Sequence, residues 1–245
     1  GPSVSVSPKN SEVSSIAQAY ERAVAKDPTI NELIFKRLEK GIFVPANISY
    51  LSEVFKIITR AYPEAETFLD FGSGDGRVTV LASLFGFKAK GVEYSKELYD
   101  FSLAMGEKMG KKSFVWPSAY SFENKDAFRE DFRLYGVIFI ADTDGLDRIK
   151  LQEKINREAY PDAIIIIYHP KGEFKLLRPL RWRHLLHPFV LGNAEGKAML
   201  FYPDKSKADS GVKCGKKNDA SLRRNVYLPS AFNRAGLFSK KFLHR

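Results

Sequence analysis

One stretch decides the fold of this chain: Phe68-Leu69-Asp70-Phe71-Gly72-Ser73-Gly74-Asp75-Gly76-Arg77-Val78-Thr79-Val80. It predicts a buried strand, a glycine turn and the start of a helix. Three glycines at alternate positions let the backbone bend sharply and approach a ligand, while the helix offers its N-terminal N–H groups. Dinucleotide-binding turns read G-x-G-x-x-G, whereas here Arg77 stands three residues after Gly74. The spacing therefore indicates a ligand other than a nicotinamide or flavin dinucleotide.

The residues after the turn continue the same pattern. Val78, Val80 and Leu81 begin an apolar helical face, and Gly86 ends that helix. A short strand then runs to Glu93. A carboxylate at the end of the second strand of a doubly wound sheet can accept both ribose hydroxyls of a nucleoside. The alternative is a tight turn between packed elements, with Glu93 merely solvated.

The pattern Asp70-x-Gly72-x-Gly74-x-Gly76 resembles the first motif of the class I S-adenosylmethionine-dependent methyltransferases. The resemblance implies S-adenosyl-L-methionine as the cofactor and a Rossmann-like α/β fold. That fold is a seven-stranded, mostly parallel sheet with an antiparallel final hairpin. The cofactor-binding residues it implies are Pro45, Tyr50, Asp70, Gly72, Gly74, Asp75, Gly76, Glu93, Tyr94, Trp116, Ser118 and Asp142.

A narrower resemblance covers roughly residues 42–170. Val44-Pro45, a helix, the glycine motif and Gly91-Val92-Glu93 look like the seven-strand protein-lysine methyltransferases of archaea and mitochondria. This branch implies a protein or peptide substrate with a lysine acceptor. It also implies a flexible segment, residues 45–50, that closes over the methionine end of the cofactor.

The third strand is predicted at Phe114-Val115-Trp116. The superfamily usually has an acidic residue just after this strand to hold the adenine amine, and this chain departs from that pattern. Ser118 or backbone groups are the predicted substitutes. Trp116 either stacks on adenine or is a core tryptophan.

The apolar run from Tyr135 to Ala141 predicts a central strand, followed by an acidic turn. Ligands of open parallel sheets bind beyond the carboxyl ends of the strands, so this turn should face the methyl group. A carboxylate there can orient an amine or pass its proton to water. The candidate catalytic residues are Asp142, Asp144, Tyr168 and His169, with Asp142 first. In the alternative, Asp144 caps the next helix and His169 is a loop residue.

The domain organisation follows from these elements and from the flanking composition. Residues 1–10 are predicted as a disordered leader, 11–61 as a helical lid region, 62–204 as the cofactor domain and 205–245 as a basic extension. One N-terminal helix should end at Asp27-Pro28, and a second should start at Thr29 or Asn31 and stop at Gly41. These helices either cover an edge of the cofactor domain or simply pack on it. A hairpin over residues 189–202 should supply the last two strands, and the fold should finish near Pro203.

The net charge of +10 lies almost wholly in the C-terminal extension, where residues 205–245 hold 11 Lys or Arg against two Asp. This extension either docks on the core, binds an acidic partner or contacts nucleic acid phosphates. The single cysteine excludes an internal disulfide, and no apolar run is long enough to span a bilayer, so a soluble, intracellular protein is expected. The oligomeric state stays open, as do RNA or small-molecule methylation and a noncatalytic nucleoside-binding role.

Overall fold

Most of the helices lie where the glycine turn and the apolar periodicities predict them. The computed structural model describes residues 7–170, 187, 189–193 and 198–201 of the 245-residue chain. Its α-helices are α1 (Asn10–Lys26), α2 (Pro28–Leu33), α3 (Ile48–Ala61), α4 (Arg77–Leu84), α5 (Lys96–Gly110) and α6 (Arg148–Glu158). Three short 3-10 helices are η1 (Pro117–Ala119), η2 (Ala127–Arg129) and η3 (Phe132–Leu134).

The strands of the described residues form a large sheet and a small ribbon. The ribbon pairs β1 (Arg37–Leu38) with β2 (Gly41–Ile42). The sheet contains β3 (Thr67–Phe71), β4 (Lys88–Glu93), β5 (Tyr120–Asn124), β6 (Val137–Ala141), β7 (Ile164–His169), β8 (Phe189–Asn193) and β9 (Ala198–Phe201). Their order is β5-β4-β3-β6-β7-β8-β9, and only β9 runs antiparallel to its neighbour. The predicted fold class, a seven-stranded Rossmann-like sheet with a final hairpin, is confirmed.

The chain reverses direction across the sheet at β3, because β4 lies on one side of it and β6 on the other. Such a switch point opens a crevice at the carboxyl ends of the strands. Helices α3 and α4 cover one face around Phe55 and Phe68, and α6 covers the other around Leu151 and Ile155. Strands β6 and β7 are buried on both faces, which explains why their sequences are rich in Ile and nearly all apolar.

Helix α1 is part of the packed core. Ile16 and Tyr20 are fully buried, and they pack in one cluster with Val80 of α4 and Met105 of α5. The part of the N-terminal region that reaches the crevice is the segment after α2, and no residue of α1 lines it.

Two predicted elements are wrong. The second helix begins at Pro28 and not at Thr29 or Asn31, because Asp27 caps it through the N–H of Ile30. It ends at Leu33, before the predicted Gly41, because Phe35 adopts a left-handed φ of 61° that no helix continues through. The residues up to Gly41 form the ribbon instead. The third strand is β5, some residues later than predicted, because Pro117 starts a 3-10 turn directly after Trp116.

Three predictions concern the ends of the chain. The hairpin over residues 189–202 is confirmed by the antiparallel pairing of β8 and β9. The end of the fold near Pro203, residues 1–6 of the predicted leader and the basic extension lie outside the described residues. The disorder predicted up to residue 10 is wrong at its end, because Lys9 caps helix α1, which begins at Asn10. In the part of the chain that the structure describes, no helix is both long and apolar enough to cross a membrane.

Candidate functional site

The glycine turn between β3 and α4 has the geometry that its sequence predicts. Gly72, Gly74 and Gly76 have φ values of 71°, 56° and 87°, a region that L side chains rarely adopt. A Cβ at Gly76 would lie 2.8 Å from the ring of Phe122, so this position excludes any side chain. A Cβ at Gly72 would meet nothing within 4 Å, which leaves open space above the turn.

Glu93 ends β4 and holds the turn in place. Its Oε1 accepts a hydrogen bond from the N–H of Gly74 at 2.9 Å, and its Oε2 accepts from the N–H of Ser95 at 2.8 Å. Burial raises the pKa of Glu93, and these backbone donors oppose that rise. A carboxylate has about four lone-pair positions, so each oxygen can accept one more donor. Glu93 is therefore equipped to bind a pair of hydroxyls at the crevice.

Asp70 and Asp75 are buried acids beside the turn, with different partners. Asp70 accepts a hydrogen bond from the hydroxyl of Thr79 at 2.7 Å. Burial, with a contribution from the charges of Asp75 and Glu93, raises the pKa of Asp70 to about 7. Asp75 forms an ion pair with Arg77, at 2.6 Å between Oδ2 and Nη2. The guanidinium carbon of Arg77 lies 5.6 Å from the ring centroid of Tyr20, so the pair connects the turn to helix α1.

The turn forms the floor of a crevice of about 800 Å³, a size typical of small-molecule sites. Four groups of residues line it: 38–46 from the ribbon and its continuation, 70–75 with 77 and 78, 92–98, and 124 with 126–128. The ends of β6 and the loop after it add residues 139, 141, 143, 145–147 and 150.

The crevice brings about half of the predicted site residues together. Those that line it are Pro45, Asp70, Gly72, Gly74, Asp75, Glu93 and Tyr94. Those outside its lining are Tyr50, Gly76, Trp116, Ser118, Asp142, Asp144, Tyr168 and His169.

Trp116 and Ser118 lie before the amino end of β5, whereas the crevice lies at the carboxyl ends of the strands. Trp116 is 73 % exposed, so it is not a core tryptophan either. The corrected third strand ends at Asn124, and the acid that follows it is Asp126, which lines the crevice. An acidic residue thus does follow the third strand, as Asp126 after β5. The alternating aromatic residues Tyr120 and Phe122 were the signal for the true strand.

Asp142 directly follows β6 but lies beneath the crevice surface. Its side chain is fully buried and accepts a hydrogen bond from Arg148 Nε at 2.7 Å through Oδ1. Its Oδ2 lies 3.3 Å from Nδ1 of His169, which ends β7 and is also buried. These three side chains form a polar cluster under the loop that follows β6. Its contacts position this loop, whose Thr143 faces the crevice.

The remaining candidates take other places. Asp144 is exposed and does not cap α6, because the side chain that accepts from the N–H of Lys150 is that of Asp147. Tyr50 and Tyr168 are buried, with ring centroids 6.4 Å apart. Burial raises the pKa of Tyr168, so its hydroxyl keeps its proton at neutral pH.

The ribbon and its continuation, residues 37–46, form a roof over the crevice. Lys40 Nζ lies 3.4 Å from Asp126 Oδ2, and Glu39 accepts a hydrogen bond from the hydroxyl of Tyr94 at 3.3 Å. On the other side, the N–H of Ile42 donates to Thr143 Oγ1 at 3.5 Å. The roof therefore touches the ends of β4 and β5 and also the loop after β6.

No family model matches the sequence, and no curated protein matches it either. Several solved structures share a similar chain path. An RNA methyltransferase from Salinibacter ruber, in complex with S-adenosyl-L-homocysteine, is 19 % identical over 54 % of this chain and 82 % of its own, with a TM-score of 0.42.

The glycopeptide N-methyltransferase MtfA, in complex with S-adenosylmethionine, is 16 % identical over 57 % of this chain and 52 % of its own, with a TM-score of 0.39. A tRNA (uracil-54, C5)-methyltransferase from Pyrococcus abyssi is 18 % identical over 47 % of this chain and 28 % of its own, with a TM-score of 0.36. This chain thus covers only about half or less of the last two proteins. All of these TM-scores lie below 0.5, a likeness too distant to indicate a substrate or a reaction.

Proposed function

We propose that this protein is an S-adenosylmethionine-dependent methyltransferase of the class I type. The observation that carries the proposal is the turn of three left-handed glycines, held by Glu93 at the end of β4, with Asp126 after the next strand. Acids at the ends of two adjacent strands suit a ribose and an adenine amine in that order. The parts of the crevice at β3 and β6 then remain for the methionine end of the cofactor.

The residues present fit this cofactor. The space above Gly72 lets a ligand approach the backbone, and Glu93 has acceptor capacity for two hydroxyls. Asp126 lines the crevice, its Oδ1 accepts from the N–H of Phe128 at 3.0 Å, and its Oδ2 lies 3.4 Å from Lys40 Nζ. We propose that this carboxylate also accepts the adenine amine. When bound, S-adenosylmethionine supplies a methyl group on a positively charged sulfur, which needs no covalent protein intermediate for transfer.

The proposed acceptor is a side-chain nitrogen of a protein or peptide, with lysine as the first choice. An ammonium group must lose its proton before it can attack, and a desolvated slot favours the neutral amine. Apolar side chains line the crevice at the end of β6, namely Phe139, Ala141 and Leu146, beside the polar Thr143, Asp147 and Lys150, and the roof adds Pro45 and Ala46. The residues of this lining thus orient and desolvate the amine. Alignment of the amine with the methyl group contributes most to the rate of transfer.

The proton acceptor remains a prediction. Asp142, Asp144, Tyr168 and His169 were predicted for catalysis, and none of them lines the crevice. We therefore propose that the amine passes its proton to water, while Asp142 supports the loop that carries Thr143.

Calorimetry with S-adenosylmethionine and S-adenosylhomocysteine tests the cofactor, with S-inosylhomocysteine as the matched control for the adenine amine. We expect the adenine compounds to bind and the inosine compound to bind at least tenfold more weakly, since it lacks the amine. Binding of none of them would contradict the proposal.

Incubation with methyl-labelled cofactor and separated cell fractions tests the acceptor. Label in protein, mapped to lysine by mass spectrometry, is the expected result. A second candidate, RNA methylation, is favoured by the charge of residues 205–245, because cationic segments bind phosphates. Label in the RNA fraction alone would replace the first candidate with the second, and binding without any transfer would indicate a noncatalytic module.

A further inference from the structure

Tyr168 connects strand β7 to the roof of the crevice. It lies near the end of β7, is 1 % exposed, and does not line the crevice. Its register partner on β6 is Ala141, which does line it. The hydroxyl oxygen of Tyr168 accepts a hydrogen bond from the backbone N–H of Asn47 at 3.1 Å.

Asn47 lies between the end of the roof and the start of helix α3. Pro45 and Ala46, directly before it, line the crevice. Asn47 itself caps α3, because its Oδ1 accepts from the N–H of Tyr50 at 3.1 Å and its carbonyl accepts from the N–H of Leu51 at 3.0 Å. The bond to Tyr168 therefore ties the start of α3, and with it the end of the roof, to the sheet.

The residues just before the tied segment contact the β3 and β6 sides of the crevice, which the proposed function assigns to the methionine end. A Cβ at Gly74 would lie 3.0 Å from the ring of Phe43, and the N–H of Ile42 reaches Thr143 in the loop after β6. The nucleoside side, at Glu93 and Asp126, is instead covered by Glu39 and Lys40. A shift of Pro45 and Ala46 should therefore affect one half of the cofactor more than the other.

We propose that Tyr168 is a positioning residue, which sets the place of Pro45 and Ala46 through Asn47 and thereby the binding of the amino-acid half of the cofactor. The inference rests on the proposed function. It replaces the catalytic role predicted for Tyr168, because this residue is buried, does not line the crevice and accepts a hydrogen bond from a backbone amide.

Tyr168→Phe removes the acceptor and keeps the ring. Calorimetry should show S-adenosylhomocysteine binding five- to tenfold more weakly, while 5′-methylthioadenosine, which lacks the amino-acid half, binds within twofold of wild type. Tyr120→Phe is the matched control, because its hydroxyl donates to the carbonyl of Gly106, and neither residue lines the crevice. Both affinities should stay unchanged in that variant.

A second pair of variants removes the same bond from its other side. Asn47→Pro lacks the N–H donor, and the φ of −78° at this position suits proline. Asn47→Ala lacks the capping side chain but keeps the donor. Asn47→Pro should bind S-adenosylhomocysteine more weakly than Asn47→Ala does. The two variants should bind 5′-methylthioadenosine alike.

The ratio of the two affinities is the decisive measurement, since a general loss of stability lowers both alike. Two results would overturn the positioning role. The first is an equal loss of affinity for both ligands, and the second is no loss for either. Tyr168→Phe is compared with wild type for this purpose, and Asn47→Pro with Asn47→Ala. If wild type binds neither compound, the proposed function itself fails, and the inference fails with it.

Discussion

At the scale of single residues, Glu93 has two roles. It holds the N–H groups of Gly74 and Ser95, and it faces the crevice with acceptor capacity to spare. The first role shapes the glycine turn and the second binds ribose under the proposed function. One carboxylate therefore links the geometry of the turn to the affinity for the cofactor.

Glu93→Gln should weaken cofactor binding about ten- to hundredfold, because hydrogen bonds to a charged acceptor contribute about 1.5–3 kcal/mol. Calorimetry with S-adenosylhomocysteine measures the change. Glu107→Gln, at an exposed position on α5 outside the crevice, is the control and should leave the affinity unchanged. Equal affinity in wild type and Glu93→Gln would remove Glu93 from the ribose site.

Asp126 tests the corrected third strand. Asp126→Asn should weaken S-adenosylhomocysteine binding about tenfold and reduce its advantage over S-inosylhomocysteine, since the acceptor for the amine loses its charge. Ser118→Ala, at the position first predicted for this role, should bind both compounds as wild type does. The opposite ranking of the two variants would restore the earlier assignment.

Asp70 makes stability depend on pH. Its pKa is raised from 3.8 to about 7 by burial, so its contribution is complete below pH 4 and is lost as the pH rises through 7. Asp70→Asn keeps an acceptor for Thr79 and cannot ionise. The free energy of unfolding of wild type should therefore fall relative to this variant by up to about 1.4 kcal/mol per pH unit between pH 4 and 7. Urea unfolding at several pH values measures it, and a difference independent of pH would exclude a raised pKa.

At the scale of elements, helix α1 stabilises the glycine turn through one aromatic side chain. Tyr20 is fully buried, and the Arg77 that stacks on it is ion-paired with Asp75 of the turn. Among the residues that the structure describes, the hydroxyl of Tyr20 has no hydrogen-bond partner. The ring, and not the hydroxyl, should therefore carry the stabilisation.

Tyr20→Ala should lower the free energy of unfolding by about 3–5 kcal/mol, as for other buried aromatic residues. The melting temperature should fall on the order of 10 °C in calorimetry. Tyr20→Phe removes only the hydroxyl and should be as stable as wild type or slightly more so. A loss in the phenylalanine variant equal to that in the alanine variant would show that the hydroxyl is bonded.

At the scale of the whole molecule, the net charge and the crevice are separate in sequence. Among the residues that the structure describes, those between 38 and 150 line the crevice, whereas residues 205–245 hold nearly all of the net positive charge. The two should therefore be separable by truncation. Because of this separation, we propose that the extension binds a substrate or partner and takes no part in methyl transfer.

Removal of residues 205–245 should leave S-adenosylhomocysteine affinity within about twofold of wild type, since all the lining residues in the described part of the chain are kept. RNA binding, followed by filter retention at increasing salt, should weaken if the extension contacts phosphates. Replacing Lys213, Lys216 and Lys217 with Gln keeps the length and should show the same direction. An insoluble truncated protein would show that the extension is part of the fold.

Most elements were predictable because their signals are local. The three alternate glycines require left-handed backbone, which no other residue adopts as readily, and β6 and β7 read as nearly all-apolar runs rich in Ile. Strand β5 was misplaced because it alternates at a sheet edge and follows a more apolar run at residues 114–116. A short edge strand is defined by its pairing with β4, which no local pattern contains.

The sequence by itself determined the glycine turn, the acid that ends β4 and the order of strands and helices, since each depends on neighbours within a few residues. Only the tertiary structure decided that Asp126 joins this acid, that Arg148 and His169 bury Asp142, and that residues 37–46 cover the crevice. The physical reason is that burial and ion pairing depend on contacts between distant segments. A carboxylate at a strand end looks the same in sequence whether it faces a ligand or an arginine.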